Sequence, residues 1–581
     1  MRSASRRMWL VALAMFALSG HGPPEAPVAD AAMRDDVEEV RSLLERGVDP
    51  NAAQGDGMTG LHWAAERGSV ELASALIDAG AELDPRTRLG SYTPVHLAAR
   101  GGHDGVLRLL LEGGASPSMP TTTGAVTPLH FAATSANPAV AVALLEHGAD
   151  PDAREERWGQ TPLMFAAAAA RPAVVDALLD HGADPESRAY VLDLPTRAAE
   201  DAADRDRVEE ARESGKPRAS VRRPSFTSPR PAERPVDKGG LADREGESEV
   251  RSYSSAELIG GYGGLSALLM AVREGSTETA LRLVDGGADI DGRSAGDGTS
   301  PLLMATINGH FDLALQLLEG GADPRLQNDA GATALYTAIN TQWIPKSRHP
   351  QPAHYKQQKA SYLQVMEALL EAGVDPNVRL NRELWFTRGG YLGVDRMGAT
   401  PFWRAAYALD VDAMKLLVEH GADPTIPTMK APSRRRRGGS DNTDGSDPSG
   451  LPAVPPGGPG VYPIHAASGV GYGEGYAGNV HRHVPDGWMP AVKYLVEELG
   501  ADVNVRDHNG YNALHHAAAR GDNDMILYLV EQGADVMAVS RRGQTTVDMA
   551  NGPVQRITPF PETIRLLEGL GAKNNHNCVS C

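Results

Sequence analysis

A segment of about 34 residues recurs throughout the 581-residue chain, and no other feature limits its possible folds as strongly. Motifs related to Thr-Pro-Leu-His begin at Thr59, Thr93, Thr127 and Thr161, at steps of 34 residues. Variants of the motif begin at Ser266, Ser300, Thr333, Thr400, Tyr462, Asn512 and Thr545. With a degenerate copy before Thr59 the chain has 12 copies, and the first and last are atypical, as expected of capping repeats.

The first half of each copy predicts a short amphipathic helix. In the copy that begins at Thr127, the threonine hydroxyl is suited to cap the helix, and Pro128 stands where no backbone N–H is needed. Leu129, Ala132 and Ala133 follow at helical spacing and form a narrow apolar face. Because alanine is small, neighbouring copies can approach closely along this face.

The second half of each copy predicts another helix and an outward turn. The stretch "PAVAVALLEHG" supplies an apolar stripe of Val140, Val142, Leu144 and Leu145, and Gly148 is placed to end the helix in the left-handed conformation. The following "ADPDA" predicts a β-hairpin finger, in which the aspartates serve the turn. One such unit cannot bury its own apolar face, so the copies are expected to stack.

The period and the Thr-Pro-Leu-His-x-Ala signature resemble those of the ankyrin repeat family. The resemblance implies an all-α solenoid of helix-turn-helix units with short β-hairpin fingers and a concave groove that binds folded proteins. It also implies that the recurring histidines bond to backbone and hydroxyl groups between neighbouring copies and do not ligate a metal. These histidines are His62, His96, His130, His465 and His515.

The regular copies are interrupted by segments of different composition. Residues 190–258 are rich in proline, serine, arginine and charge, which predicts a disordered linker, with a short charged helix at Ala199–Glu213 as an alternative within it. This linker would separate an N-terminal array (25–189) from a C-terminal array (259–572). Loop insertions are predicted within the second array at 340–361, 428–460 and 469–487.

The N-terminus has the features of an export signal. Arg2, Arg6 and Arg7 precede an apolar run from Met8 to Leu18 that is too short to span a bilayer as a helix. We therefore predict a signal peptide over residues 1–22, a periplasmic or secreted protein and no stable membrane insertion after cleavage. An uncleaved anchor and export by the twin-arginine route, suggested by "SRRMWL", remain alternatives. The Arg-, Ala- and Gly-rich composition suggests a bacterial source.

The two cysteines, Cys578 and Cys581, both lie in the tail, residues 573–581. In an exported protein, Cys-x-x-Cys followed by histidine attaches c-type haem, but this sequence stops where that histidine would stand. Three interpretations remain open: a fragment cut within a haem motif, a complete chain with free or disulfide-bonded cysteines, or a pair without function. As written, the chain is predicted to carry no cofactor.

Two further motifs carry little weight. Gly473, Gly475 and Gly478 match GxGxxG, but no strand or βαβ unit is expected around them, so a nucleotide site is not predicted. His481 and His483 lack a nearby third ligand, so no metal site is predicted.

The sequence therefore predicts a binding protein without catalysis. No pattern supplies a nucleophile with a base, a phosphate loop or a metal cluster, and a net charge of -19 disfavours nucleic acid. We predict a monomer that acts as a scaffold or adaptor for an unspecified protein partner. The alternative is the recruiting N-terminal part of a larger exported c-type haem or redox protein. The predicted contact residues are aromatic: Trp158, Trp385, Phe386 and Tyr391.

Overall fold

The computed structural model describes residues 26–213, 254–346, 353–384, 393–432, 447–473, 477–552 and 558–578. Short helix pairs follow one another along these residues, which confirms the predicted all-α repeat architecture. The described residues form two compact units: residues 26–190 with 265–289, and residues 191–213 and 254–264 with those from 290 onward. No helix among them is both long and apolar enough to cross a membrane.

The first unit begins with five helix pairs at the predicted positions. The helices are α1 (Pro27–Met33), α2 (Val37–Glu45), α3 (Gly60–Arg67), α4 (Val70–Asp78), α5 (Pro94–Gly101), α6 (Asp104–Glu112), α7 (Pro128–Thr134), α8 (Pro138–Glu146), α9 (Pro162–Ala168) and α10 (Pro172–Asp180). The first helix of each pair packs on the first helix of the next pair. The degenerate first copy is thus a true helix pair.

The apolar faces predicted from the repeat are buried between neighbouring copies. Leu129, Ala132 and Ala133 of α7 are completely buried. In α8 the prediction for Val142 was wrong, because this side chain is only half-buried. It lies two residues from Val140, about 200° around the helix, so it cannot share that residue's face. Gly148 has a φ of 85°, which confirms the left-handed helix end.

A histidine helps to cap the N-terminus of the first helix in several of the helix pairs. The backbone N–H of Thr127 donates to Nδ1 of His130 over 3.2 Å, and the threonine hydroxyl lies 2.8 Å from the same nitrogen. Nε2 of His130 lies 3.1 Å from the carbonyl oxygen of Gln160 in the next copy, so it carries the proton and donates. His62 bonds in the same way to Thr59 and Tyr92. His62 and His130 are helix caps and contacts between copies, as the resemblance implied, whereas Nε2 of His96 and that of His515 have no hydrogen-bond partner among the described residues.

The fingers are tight turns that hydrogen-bond to one another along the first unit. Within one finger, the N–H of Thr121 donates to the carbonyl oxygen of Val126 over 3.0 Å. Between fingers, the N–H of Thr122 donates to Gly90 and that of Glu156 donates to Gly124. The turn aspartates also bond to backbone, and Asp152 accepts from the N–H of Asp184 over 3.0 Å. Turn chemistry accounts for the repeated aspartates.

The described flanks of the predicted linker 190–258 are structured, which corrects part of the prediction of disorder. They contain β1 (Val191–Asp193), α11 (Leu194–Glu213), α12 (Ser255–Ile259) and β2 (Gly261–Gly263). The strands pair antiparallel, with Leu192 opposite Tyr262. A side chain at Gly261 would meet the carbonyl oxygen of Gly296 at 2.7 Å, so this position requires glycine. Residues 214–253 lie outside the described structure.

The repeat stack of the first unit includes a sixth helix pair, which follows the predicted linker 190–258. The sequence predicted this pair at the start of a second array. Helices α13 (Ala267–Glu274) and α14 (Thr277–Asp285) pack against α9 and α10 respectively. Arg282 donates to Asp176 over 2.7 Å across this junction. The predicted boundaries at 189 and 259 therefore differ from the packing. The apolar face of the fifth helix pair is buried only when another helix pair packs on it. A longer loop between the two pairs adds little to the entropic cost of bringing them together.

The second unit contains the remaining copies and all three predicted loop insertions. Its further helices are α15 (Pro301–Asn308), α16 (Phe311–Glu319), α17 (Ala334–Gln342), α18 (Tyr362–Glu371), α19 (Pro401–Tyr407), α20 (Val411–Glu419), α21 (Pro463–Ser468), α22 (Ala477–Val480), α23 (Trp488–Lys493), α24 (Ala513–Arg520), α25 (Asn523–Glu531), α26 (Thr546–Ala550) and α27 (Pro561–Gly569). A 3-10 helix spans His354–Gln357, and a π-helical turn, Tyr494–Glu498, extends α23.

Acid should destabilise this fold because several buried histidines have lowered pKa values. Burial lowers the pKa of His96 and His465 to about 4 and that of His515 to about 3. As pH falls below the ordinary value of 6.5, the unfolded chain binds protons that the folded chain does not, so stability decreases. We expect each of these histidines to reduce the unfolding free energy by about 1–2 kcal/mol at pH 5 relative to pH 7.5. Urea denaturation followed by circular dichroism at the two pH values measures this loss.

The substitution His96→Gln provides the control for this pH dependence. Glutamine three residues after Thr93 retains a capping box without a titrating ring. The variant should show a smaller difference between pH 7.5 and pH 5 than the parent chain. An unchanged difference would mean that His96 does not contribute to the acid sensitivity.

Candidate functional site

Two of the loop insertions of the second unit line a cavity of about 720 Å³. The lining residues come from the start of α16, from the described parts of the first insertion, 340–361, from the start of α18, and from the described part of the third insertion, 469–487. The lining residues are Phe311, Gln342, Trp343, Tyr355, Lys356, Gln358, Lys359, Ala360, Ser361, Tyr362, His481, Arg482 and His483. Departures from the repeat thus create this cavity, which has a volume typical of ligand pockets.

Backbone hydrogen bonds hold the two insertions in place. The N–H of Lys346 in the first insertion donates to the carbonyl oxygen of Val480 in the third over 2.8 Å. The carboxylate of Asp312 accepts from the N–H groups of Lys359 and Ala360, at 3.1 and 2.8 Å. The N–H of Val484 donates to Ala408 at the end of α19. The cavity walls are therefore fixed to the repeat framework.

Asp410 connects the wall of the cavity to the repeat core. Its Oδ2 accepts from Nε1 of Trp343 over 2.7 Å and from the hydroxyl of Tyr362 over 2.6 Å. Its Oδ1 caps α20 by accepting from the N–H of Ala413. Burial, and then the charge of Asp410, raise the pKa of Tyr362 far above its usual value, so the phenol remains a donor.

Arg404, which is only 1% exposed, lies behind the same wall. Its Nε donates to Oδ1 of Asn340 over 2.9 Å, and its Nη2 donates to the carbonyl oxygen of Trp343 over 2.6 Å. Within the described residues it forms no ion pair with a carboxylate, and its Nη1 has no hydrogen-bond partner. Burial lowers its pKa to about 10, and it remains a cation at neutral pH. The charge of Asp410, which lies beyond ion-pair distance, favours the charged form of Arg404 and offsets part of the cost of its burial.

Asp410, Arg404 and two tyrosines, Tyr336 and Tyr407, form a buried polar cluster behind the cavity. Tyr336 and Tyr407 are each 1% exposed, and neither hydroxyl has a hydrogen-bond partner within the described ranges. Burial raises the pKa of both phenols. The ring of Tyr407 stacks between Trp403, at 5.3 Å, and His481, at 4.3 Å. The cluster therefore joins the cavity-lining His481 to the core of α19.

The cavity lining is basic in a chain whose net charge is -19. Lys356, Lys359 and Arg482 line it, whereas none of its described lining residues is an aspartate or glutamate. None of these three cations forms an ion pair in the part of the chain that the structure describes. Elsewhere arginines form ion pairs with carboxylates, as Arg100 does with Glu66 over 2.7 Å. The described lining is therefore positively charged, and the nearest described carboxylates, Asp312 and Asp410, lie in the wall behind it.

In the described part of the chain, His481 has a structural role and is not arranged as a metal ligand. Burial, and then the neighbouring His483, lower its pKa to about 3, so the ring is neutral. Its Nε2 donates to the carbonyl oxygen of Tyr407 over 2.7 Å. Among the described residues, no group of three histidine, cysteine, aspartate or glutamate side chains is arranged to hold a metal.

The structure describes only some of the residues predicted as sites. Trp158 is half-buried on a finger of the first unit, where its carbonyl oxygen accepts from the N–H of Tyr190 over 2.6 Å. Trp385, Phe386 and Tyr391 lie outside the described residues. Cys578 is disulfide-bonded, and Cys581 lies outside the described residues. The partner contacts and the haem alternative stay predictions.

Sequence reasoning missed the cluster behind the cavity, although a signal was present. In the copy that begins at Thr400, Trp403 and Arg404 stand where the copy at Thr127 has His130 and Phe131. Nε1 of Trp403 donates to the carbonyl oxygen of Val461, just before the next motif, as Nε2 of His130 does to Gln160. Trp403 thus replaces the usual histidine contact, and the adjacent arginine marks the altered copy.

Comparison with known proteins agrees with this architecture. A family model described as ankyrin repeats in three copies matches residues 28–121, 118–189 and 268–380, and one described as many copies matches 494–550. Together they match more than half of the chain. The chain belongs to the ankyrin repeat family. Ankyrin repeats indicate a scaffold for protein–protein interaction.

Individual ankyrin proteins match only short parts of the chain. BCL-6 corepressor-like protein 1 of Homo sapiens is 37% identical over 86 residues, 15% of this chain and 4% of that protein. Ankyrin repeat and SAM domain-containing protein 6 of Rattus norvegicus is 37% identical over 82 residues, 14% and 9% respectively. Protein phosphatase 1 regulatory subunit 12A of Mus musculus is 33% identical over 72 residues, 12% and 7%. The matches span less than a tenth of each of these relatives.

Removing Asp410 should destabilise the second unit. Asp410→Ala removes a helix cap and leaves the donors of Trp343 and Tyr362 without their acceptor, so we expect a loss of about 2–4 kcal/mol of unfolding free energy. Chemical denaturation followed by tryptophan fluorescence measures the change. The control is Asp412→Ala on the exposed side of the same helix, which should change stability by less than about 0.5 kcal/mol. Equal effects of the two substitutions would contradict the role given to Asp410.

Proposed function

We propose that this ankyrin protein is a non-catalytic scaffold that holds a protein partner against the fingers and first helices of its repeats. The observation that carries the proposal is how the repeats use their reactive side chains. Histidines such as His62 and His130 are helix caps, and turn aspartates such as Asp152 accept backbone N–H groups. These groups have structural tasks, which leaves the variable finger tips as the surface for recognition.

The fingers of the first unit offer apolar contacts for such a partner. Leu89 lies at a finger tip and is 82% exposed. Its finger is joined to the next one by the hydrogen bond from Thr122 to Gly90, and Trp158 lies two fingers further along. Large apolar side chains on a fixed surface are typical of residues that contribute strongly to protein binding. We therefore place the partner on the finger ladder of this unit.

Loss of these side chains should release the partner. The mature chain is used as bait in crosslinked capture from the envelope fraction of the source organism, because the N-terminal residues predict export. We expect Leu89→Asp combined with Trp158→Ala to reduce the captured partner at least about tenfold, a typical effect of removing two strong contacts. A partner captured equally well by the double variant would contradict this placement.

The control variant is Leu527→Asp, which changes another exposed leucine. Leu527 is 48% exposed on α25, a second helix of its repeat, and is not part of a finger. This variant should retain the partner. A loss as large as that of the finger variant would indicate a general effect of surface charge on capture.

The absence of catalysis is tested separately. Purified protein is incubated with a panel of hydrolase and redox substrates, and no turnover above that of a heat-denatured sample is expected. Turnover that is abolished by a point substitution in the chain would overturn this part of the proposal.

A further inference from the structure

The cavity of the second unit has the features of a binding site whose occupant is anionic. Among the described residues its lining contains the cations Lys356, Lys359 and Arg482, which form no ion pair, and no carboxylate. Asp312 and Asp410 lie in the wall and keep their negative charge, although each accepts hydrogen bonds from neutral donors. A ligand in the cavity therefore contacts the cations of the lining, while these two carboxylates lie behind it.

Arg404 adds a fixed positive charge behind this lining. Its guanidinium is buried and bonds to the carbonyl oxygen of Trp343, a residue of the cavity wall. In a low-dielectric interior such a charge acts over a longer distance than a surface lysine does. An anion in the cavity would compensate a charge that has no ion-pair partner among the described residues.

The same cavity offers apolar surface. Phe311, Trp343, Tyr355 and Tyr362 contribute aromatic rings to the lining. Trp343 and Tyr362 are held by their hydrogen bonds to Asp410, so these rings are fixed before a ligand arrives. Phe311 is already buried, whereas Trp343, Tyr355 and Tyr362 are half-buried. A simple inorganic anion would leave these three rings partly exposed to water, whereas a side chain with an apolar surface would cover them.

We propose that this cavity binds an acidic peptide segment in which carboxylates flank an apolar side chain. The lining has three cations, Lys356 and Lys359 from the first insertion and Arg482 from the third, so one carboxylate cannot neutralise all of them. A segment with two or more carboxylates and an apolar residue between them matches both the charges and the rings. The proposal deepens the proposed scaffold function and rests on it.

The test uses the full chain and the peptide acetyl-Glu-Leu-Glu-Leu-Glu-amide, with binding followed by tryptophan fluorescence and calorimetry. We expect saturable binding that weakens as salt is raised from 50 to 300 mM, roughly as screening of charge requires. The matched peptide with glutamine in place of glutamate should bind at least about tenfold more weakly. No binding of the acidic peptide, or equal binding of the glutamine peptide, would overturn the proposal.

Charge-reversal variants locate the site. Lys356→Glu with Arg482→Glu should weaken the acidic peptide at least about tenfold. The control, Lys573→Glu with Arg565→Glu, makes the same change in net charge at exposed residues outside the cavity lining and should leave binding within about twofold. Circular dichroism checks that both variants are folded. Equal weakening by the two pairs would place the peptide elsewhere and overturn the assignment.

Three further outcomes separate this proposal from its alternatives. If 3-phenylpropionate binds more tightly than the peptide and competes with it, the cavity is a small-carboxylate site and the peptide assignment is wrong. If the peptide fails to bind while the captured partner still depends on Leu89 and Trp158, the cavity proposal fails and the scaffold function stands. If capture fails while peptide binding requires Lys356 and Arg482, the cavity assignment stands by itself.

Discussion

The rest of this structure depends on the burial of one apolar face by the next copy of the repeat. The face of α7 contains a leucine and two alanines, and burial of a leucine contributes about 1.5–3 kcal/mol only when a neighbour covers it. Close packing of alanine faces brings successive copies near enough for His130 to reach the carbonyl oxygen of Gln160. The histidine contacts between copies and the finger ladder are therefore consequences of stacking.

Most of the repeat was predictable because its signals are local. The 34-residue period, the cap at Thr127, Pro128 and the left-handed Gly148 each depend on residues close in sequence, and the structure agrees with them. The packing of α13 on α9 was not predictable in this way. Composition marked residues 190–258 as a break, but a break in composition does not show whether the stack ends or continues beyond it.

The cavity was less accessible to sequence reasoning. The sequence predicted insertions at 340–361 and 469–487, yet nothing in the low-complexity pattern indicated that these two would meet through Lys346 and Val480. Trp403 and Arg404 were the available sign, since they replace a histidine and an apolar residue of the repeat. Their meaning depends on partners such as Asn340 and Trp343, more than 60 residues away, which the repeat period does not bring into register.

The looped-out segment between α10 and α13 has a consequence for how the chain is made. Arg282 and Asp176 are 106 residues apart, whereas Arg100 and Glu66 are 34 apart. At a synthesis rate of about 5–20 residues per second, about 75 inserted residues delay the arrival of α13 by roughly 4–15 seconds. During that interval the nascent chain emerges from the ribosome with the apolar face of its fifth helix pair exposed to water. A chaperone that recognises apolar surface would bind the chain at this face.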